Sequence, residues 1–267
     1  MTTTEGEKKI IMNQAPLHLK QSSSPALAQM FADYFQLQQV CTPDQYDEIY
    51  KMRYQTYCEE FGYDIYHHKL RERDEYDRFS LQCLLRLQTT QEAAGSIRLI
   101  IPPTQKRGLL LPFERNYSQA FYRNLINPDT LPYGSYCEIS RMVITKNFRQ
   151  RSGEQLSPRG VINDLSTEMT EQQRKFPFIN IGLYLAAISL FIQSHRSIVF
   201  LAIEPKLVRR LDQFGIYLTQ ASQVIDYHGQ RAIYFATRDS LLMDISHFRQ
   251  DYRGFYFFIN DCLRTYP

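Results

Sequence analysis

The sequence predicts a single domain of mixed α/β type, a mixed central sheet flanked by helices, and three observations predict it. Apolar residues recur at helical spacing in some segments and alternate in others, in the order helix, hairpin, strand, basic loop, helix, strand, helix, hairpin. The stretch 176–193 is apolar nearly all round, as a helix covered by a sheet requires. With 43% of its 267 residues hydrophobic, the chain has enough apolar surface for a full core.

Residues 1–24 are polar, with three serines before Pro25, and read as a flexible leader; the main domain is expected over 25–238. Leu27, Met30, Phe31, Tyr34 and Phe35 fall at helical spacing and predict a short amphipathic helix. Thr42 is a helix N-cap, Pro43 suits the first helical position and Gln45 completes a capping box, so a second helix should run to about residue 61. Its inward stripe is Tyr46, Ile49, Tyr50, Arg53 and Tyr57, which points a guanidinium where an apolar residue belongs.

Segment 81–89 alternates Leu81, Cys83, Leu85 and Leu87 with polar residues, and 95–101 follows a short turn, a pattern that predicts a β-hairpin. Pro112, Pro128 and Pro132 divide the next stretch into loops and one helix over 117–125. A strand is expected at 136–145, then the basic run Phe148-Arg149-Gln150-Arg151-Ser152-Gly153 and a polar insert to Lys175. The apolar helix, a strand at 197–203, a helix at 205–214 and a hairpin turning at His228-Gly229 complete the domain. Residues 239–267 form a helical extension, and its Phe255, Tyr256, Phe257 and Phe258 must dock on the domain.

A net charge of +3 with no basic block at either end lacks the electrostatic footprint of a nucleic-acid binder. Five cysteines without a Cys-x-x-Cys pair encode neither a disulfide framework nor a zinc site, so no metal is expected and a reducing cytosol fits. The first dozen residues hold no apolar stretch for a signal peptide, and 176–193 contains Pro177 and Asn180 at the lower length limit for a membrane span. A cytoplasmic protein without a transmembrane span is expected. His67-His68 reads as solvated loop, and Cys137 as a structural thiol on the opposite strand face from its neighbour Glu138.

Charges stand where a globular core places neutral residues: Arg53 on the helix stripe, Asp74 and Asp77, Arg98 in an apolar strand, and Glu138 with Arg141. Three arginines and three carboxylates balance, which is compatible with a structural ion-pair network and with a proton-handling site. Arg53 is expected to pair with Asp74 or Asp77. Glu138 decides between the readings, since a mid-strand carboxylate is costly unless it moves protons or binds a cation.

The words Arg53-Tyr54-Gln55-Thr56-Tyr57-Cys58-Glu59-Glu60-Phe61-Gly62-Tyr63, Asp74-Glu75-Tyr76-Asp77-Arg78-Phe79-Ser80, Gly95-Ser96-Ile97-Arg98-Leu99-Ile100 and Glu138-Ile139-Ser140-Arg141 occur in this order. With Ala202-Ile203-Glu204-Pro205 and Asp226-Tyr227-His228-Gly229, they resemble the acyltransferases associated with the PEP-CTERM/exosortase system. Those are relatives of the acyl-homoserine-lactone (autoinducer) synthases and of the long-chain N-acyl amino acid synthases. The resemblance spans about 30–237 and implies the GNAT fold, whose splayed central strands admit the pantetheine arm of an acyl carrier.

By the same resemblance Glu138 is the general base, with Ser140 and Arg141 beside it, and Arg53, Tyr57, Tyr63, Asp74, Asp77 and Arg98 form the amine side of the cleft. Tyr63 stands where the autoinducer synthases carry Trp, a departure in the amine pocket. Main-chain groups at Met142, Val143 and Ile144 would hold the oxyanion and pantetheine, with Arg149 and Arg151 on its phosphodiester. The basic loop has one glycine and a long insert after it, unlike a coenzyme A phosphate loop, and Lys206, Arg209 and Arg210 could face an acidic carrier.

The implied function is transfer of a fatty acyl group from an acyl-pantetheine thioester to the amine of an amino acid or similar small metabolite. Acyl carrier protein (ACP) is favoured over coenzyme A as donor, no cofactor is bound permanently, and the partners are the carrier protein and the amine. The alternatives are a non-catalytic module that binds acyl carriers or acyl metabolites, and an autoinducer synthase.

Overall fold

The computed structural model describes residues 26–104, 108–149 and 178–264. The predicted leader, Arg151 and the polar insert lie outside the described residues. The chain opens with α1 (Ala26–Tyr34) and β1 (Phe35–Gln39), then α2 (Pro43–Tyr54). Thr42 caps α2 as its sequence predicts: its side chain accepts from the Gln45 N–H, and the Gln45 side chain accepts from the Thr42 N–H at 3.1 Å. The regular helix stops at Tyr54 rather than near residue 61, and Gln55–Glu60 continues as a wider π-type turn, a feature often found at functional sites. Strand β1 went unrecognised because Phe35 also fits the stripe of α1.

Next come the two-residue strands β2 (His67–His68) and β3 (Arg71–Glu72), followed by the predicted hairpin of β4 (Ser80–Leu87) and β5 (Ala93–Ile100). The helix expected at 117–125 lies instead at α3 (Pro112–Tyr117). Pro112 and the Glu114 carboxylate, which accepts the Leu111 N–H at 2.7 Å, start it early, and beyond it Phe121 leaves to bridge Ser222. The remainder is β6 (Tyr136–Ile144), α4 (Ile179–Gln193), β7 (Ile198–Ile203), α5 (Pro205–Gln213), β8 (Thr219–Gln220), β9 (Ile225–Asp226), β10 (Gln230–Thr237), α6 (Arg238–His247) and α7 (Gln250–Cys262).

Among the described residues the main sheet has the order β1-β4-β5-β6-β7-β10-β8, with β9 on β10. Its neighbours are antiparallel except β6 and β7, which run parallel. Helix α4 is buried from Ile179 to Phe191 against one sheet face, where Cys137, Ile139, Met142 and Ile144 of β6 join the same core. α7 covers the outer side of α4: Phe255 is fully buried with its ring 5.1 Å from Phe31. Asn260 accepts hydrogen bonds from Ser189 at 2.8 Å and Gln193 at 3.2 Å. Gly182 permits this packing, because a Cβ there would lie 2.6 Å from the Phe31 ring. The opposite sheet face stays partly open and bears the charged residues.

Candidate active site

Strand alternation places Glu138 and Ser140 on the face opposite Cys137 and Ile139. Strict alternation would then return Arg141 to the core. Instead the β5–β6 register shifts between Ser96 and Arg98, so that Arg141 and Met142 oppose the single residue Ile97, and Arg141 adopts φ 50°. This β-bulge keeps Ser140 and Arg141 on the same face and lets Met142 resume core packing. Gly95 accommodates the distortion: a Cβ there would sit 2.7 Å from the Val143 carbonyl oxygen.

The parallel pairing of β6 with β7 spans only Tyr136–Ile139 against Ile198–Leu201, although β6 runs to Ile144 and β7 to Ile203. The two strands therefore part beyond Ile139, the residue after Glu138. A cleft of about 1020 Å³ opens on this face, lined among others by Glu138, Ser140, Arg141, Asp74, Asp77, Tyr57, Tyr63 and His228.

Under the cleft lies an ion-pair network. Arg53, with no exposed surface, donates from Nε to Glu72 and from Nη1 to Asp77 at 2.7 Å. Arg98, equally buried, donates to Asp74 at 2.6 Å, to Asp77 at 2.9 Å and from Nε to the Ser140 hydroxyl at 3.1 Å. Arg141 donates to Glu72 at 3.0 Å and meets Asp74 at 3.3 Å. Burial opposes ionisation of Glu72, Asp74 and Asp77, but the facing guanidinia outweigh it and hold all three carboxyls below their usual range.

The set is three against three, as the sequence predicts, with one exchange of members. Glu72 takes the place expected for Glu138. It went unrecognised because it stands in the charged run Arg71-Glu72-Arg73-Asp74-Glu75, where composition does not single out the buried residue. Arg53 binds Asp77 as expected, and Glu72 in addition. Arg53 and Arg98 lie behind the carboxylates rather than on the cleft wall, where they hold Asp74 and Asp77 in place.

Glu138 is left outside this network. Its Oε2 accepts the Phe113 N–H at 3.1 Å, and Oε1 receives no hydrogen bond from the described residues. Burial pushes the carboxyl up to about 8, against the opposing pull of the Phe113 N–H, Arg98 and Arg141. The Phe113 contact was not legible in the sequence, since it depends on where α3 begins.

On the side of the cleft expected to take the amine, Tyr57 and Tyr63 stack at 6.1 Å, and His228 stacks on Tyr63 at 4.4 Å. The Tyr57 hydroxyl donates to the Met142 carbonyl at 3.0 Å, in the region where β6 and β7 part. Met142, Val143 and Ile144 have buried side chains, so only their main-chain groups face that gap. Arg149 does not fit its expected role on a phosphodiester. Its guanidinium is 3% exposed, donates to Glu60 and to the Ile144 carbonyl at 2.6 Å, and lies over Phe61. His228 belongs to a word quoted for the resemblance, yet neither its residue type nor its spacing assigned it to the site.

Residues 52–158 match the family described as the acetyltransferase (GNAT) domain. The chain has the GNAT fold. Solved structures agree on the GNAT fold. FeeM, an N-acyl amino acid synthase from uncultured soil microbes, is 14% identical with a TM-score of 0.51, over 81% of this chain and 96% of FeeM. BjaI, a CoA-dependent acyl-homoserine lactone synthase solved with SAM and isopentyl-CoA, is 15% identical with a TM-score of 0.52, over 82% and 98%. MesI, another CoA-dependent acyl-homoserine lactone synthase, is 12% identical with a TM-score of 0.50, over 79% and 94%.

No curated protein matches the chain in sequence. Among the described residues, no group of three or more His, Cys, Asp or Glu is set to hold a metal ion. No described helix is long and apolar enough to cross a membrane.

Proposed function

We propose that this GNAT acyltransferase moves a fatty acyl group from a pantetheine thioester to the amine of an amino acid or similar small metabolite. The observation that carries the reading is Glu138 Oε1, a carboxylate oxygen on the cleft wall, outside the ion-pair network and beside the point where β6 and β7 part. A purely structural carboxylate would be consumed by the three arginines, and a module that only binds acyl carriers has no use for an unshared oxygen there. Glu138 accepts the amine proton, directly or through water, as nitrogen attacks the thioester carbonyl. Main-chain N–H groups near Met142 and Val143 stabilise the developing oxyanion. Arg141, Ser140, Asp74, Asp77, Tyr57 and Tyr63 shape the amine side.

The donor we favour is acyl-ACP, because Lys206 and Arg209 are exposed on α5. An acyl-CoA donor is the second reading, favoured by the CoA dependence of BjaI and MesI. The sequence words shared with PEP-CTERM/exosortase-associated acyltransferases support a role in that system, and five free cysteines support a cytosolic setting. Lipid extracts from cells producing the wild type and Glu138→Gln, compared by mass spectrometry, test the function. A new N-acyl product is expected only with the wild type, with in vitro thiol release lowered by roughly 10²-fold or more in the variant. Equal product from both would remove Glu138 from the mechanism.

A further inference from the structure

The acceptor of an N-acyl transfer arrives with a proton it must lose. An alkylammonium such as that of lysine keeps its proton to about pH 10, so at neutral pH its nitrogen has no lone pair with which to attack. Two protons leave the nitrogen in the course of the transfer, and Glu138, a single carboxylate already assigned the proton lost as nitrogen attacks, does not account for the first.

A second titratable group lines the same cleft. His228 occupies the turn between β9 and β10 in a left-handed backbone conformation, φ 52°. Two hydrogen bonds hold that turn, from the Gly229 N–H to Asp226 Oδ1 at 3.2 Å and from the Tyr227 N–H to the Gly229 carbonyl at 3.1 Å. The imidazole is fixed by its face, stacked on Tyr63 at 4.4 Å and 28°, with the Tyr227 ring edge-on at 4.8 Å. Face stacking leaves the ring nitrogens uncommitted, and neither hydrogen-bonds to a described residue. The charges around it are Asp64, Asp226, Arg141 and Arg231. Burial, then Arg231 and Arg141, hold the imidazole below its usual 6.5, against Asp226 and Asp64. A ring that stays neutral at physiological pH has the free lone pair an ammonium needs.

We propose that His228 is a second catalytic residue, the base that takes the first proton from the acceptor ammonium before Glu138 acts; this rests on the N-acyltransferase reading. That proton passes to an imidazole nitrogen and on to solvent. The freed lone pair forms the N–C bond to the thioester carbonyl, and the C–S bond breaks with its electron pair on sulfur. The second proton passes from nitrogen to the Glu138 carboxylate and on to the thiolate. The products are the amide, the thiol and one proton released to solvent.

The test is His228→Asn, since Asn tolerates the left-handed turn but is not a base. Thiol release from an acyl-pantetheine thioester is followed with the amino acid that the wild type acylates best among the common twenty, and with its aminooxy counterpart, whose nitrogen is already neutral at pH 7. For the amine, kcat/KM is expected to fall roughly 10²-fold or more, a deficit that shrinks as pH rises toward the acceptor's own pKa. For the aminooxy acceptor the variant is expected to stay within about threefold of the wild type, because no first proton remains to be removed. Equal losses on both acceptors, or no loss on either, would overturn the role of His228 while leaving the transferase reading intact. A wild type that acylates no acceptor of either kind would overturn the transferase reading itself.

Discussion

Glu138 differs from the neighbouring carboxylates in what burial does to it. Asp74, Asp77 and Glu72 each face guanidinia that overcome desolvation, whereas Glu138 has one main-chain N–H and titrates near 8. The base proposed here works only when ionised, so kcat/KM should rise with pH and level off above about 8, a limb that Glu138→Gln should remove. The same shift has a stability consequence of opposite direction. The folded state keeps a proton on Glu138 that the unfolded chain releases above the usual 4.5, so stability falls as pH rises from there to about 8. Glu138→Gln should therefore raise the melting temperature more at about pH 9 than at about pH 5, and a pH-independent difference in calorimetry would contradict the assignment. That Glu138 is out of place in an apolar strand was plain from its neighbours; that it stands apart from the arginines was not, because the partner that replaces it, Glu72, lies far off in the sequence.

At the scale of elements, helix and strand periodicity carried most of the reading. Thr42, Pro43 and Gln45 specify the start of α2 by local hydrogen bonds, and α4 declares itself by being apolar all round. What escaped depends on contacts between elements: the π-type turn after Tyr54, the short β1, and the early start of α3. The ion-pair network ties four such segments together, α2, β3, the loop to β4, and the β5–β6 pair, around Arg53, Glu72 and Arg98, which have no exposed side-chain surface. Glu72→Gln leaves Arg53 and Arg141 short of a carboxylate and should cost about 3–5 kcal/mol in urea unfolding. Glu75→Gln removes only the half-exposed pair with Arg115 and should cost under about 1 kcal/mol. Similar small losses in both variants would mean that the network is not what joins these segments.

Over the whole molecule, one sheet face is sealed by α4 and its covering helices while the other holds the cleft, a division that the order of elements and the buried helix made legible in the sequence. The donor's approach was less legible, because Arg149 proves to be a buried strut to Glu60 rather than an anion ligand. The exposed cations of α5 remain the basis for favouring a carrier protein. Lys206→Glu with Arg209→Glu should lower kcat/KM for acyl-ACP about tenfold at low salt, leave acyl-CoA unaffected, and lose its effect as ionic strength rises. Parallel losses on both donors, independent of salt, would assign α5 no part in docking. The bulge in β6 also sets how this protein tolerates change in chain length. With Arg141 skipped, the strand alternates strictly through Cys137, Glu138, Ile139, Ser140, Met142, Val143 and Ile144, so a deletion of that single codon leaves every core-facing residue facing the core. Deletion of the codon for Ile139 instead turns over the register of the residues that follow. Arg141 is thus an insertion in a strand whose alternation is complete without it, placed there for its charge rather than for the core.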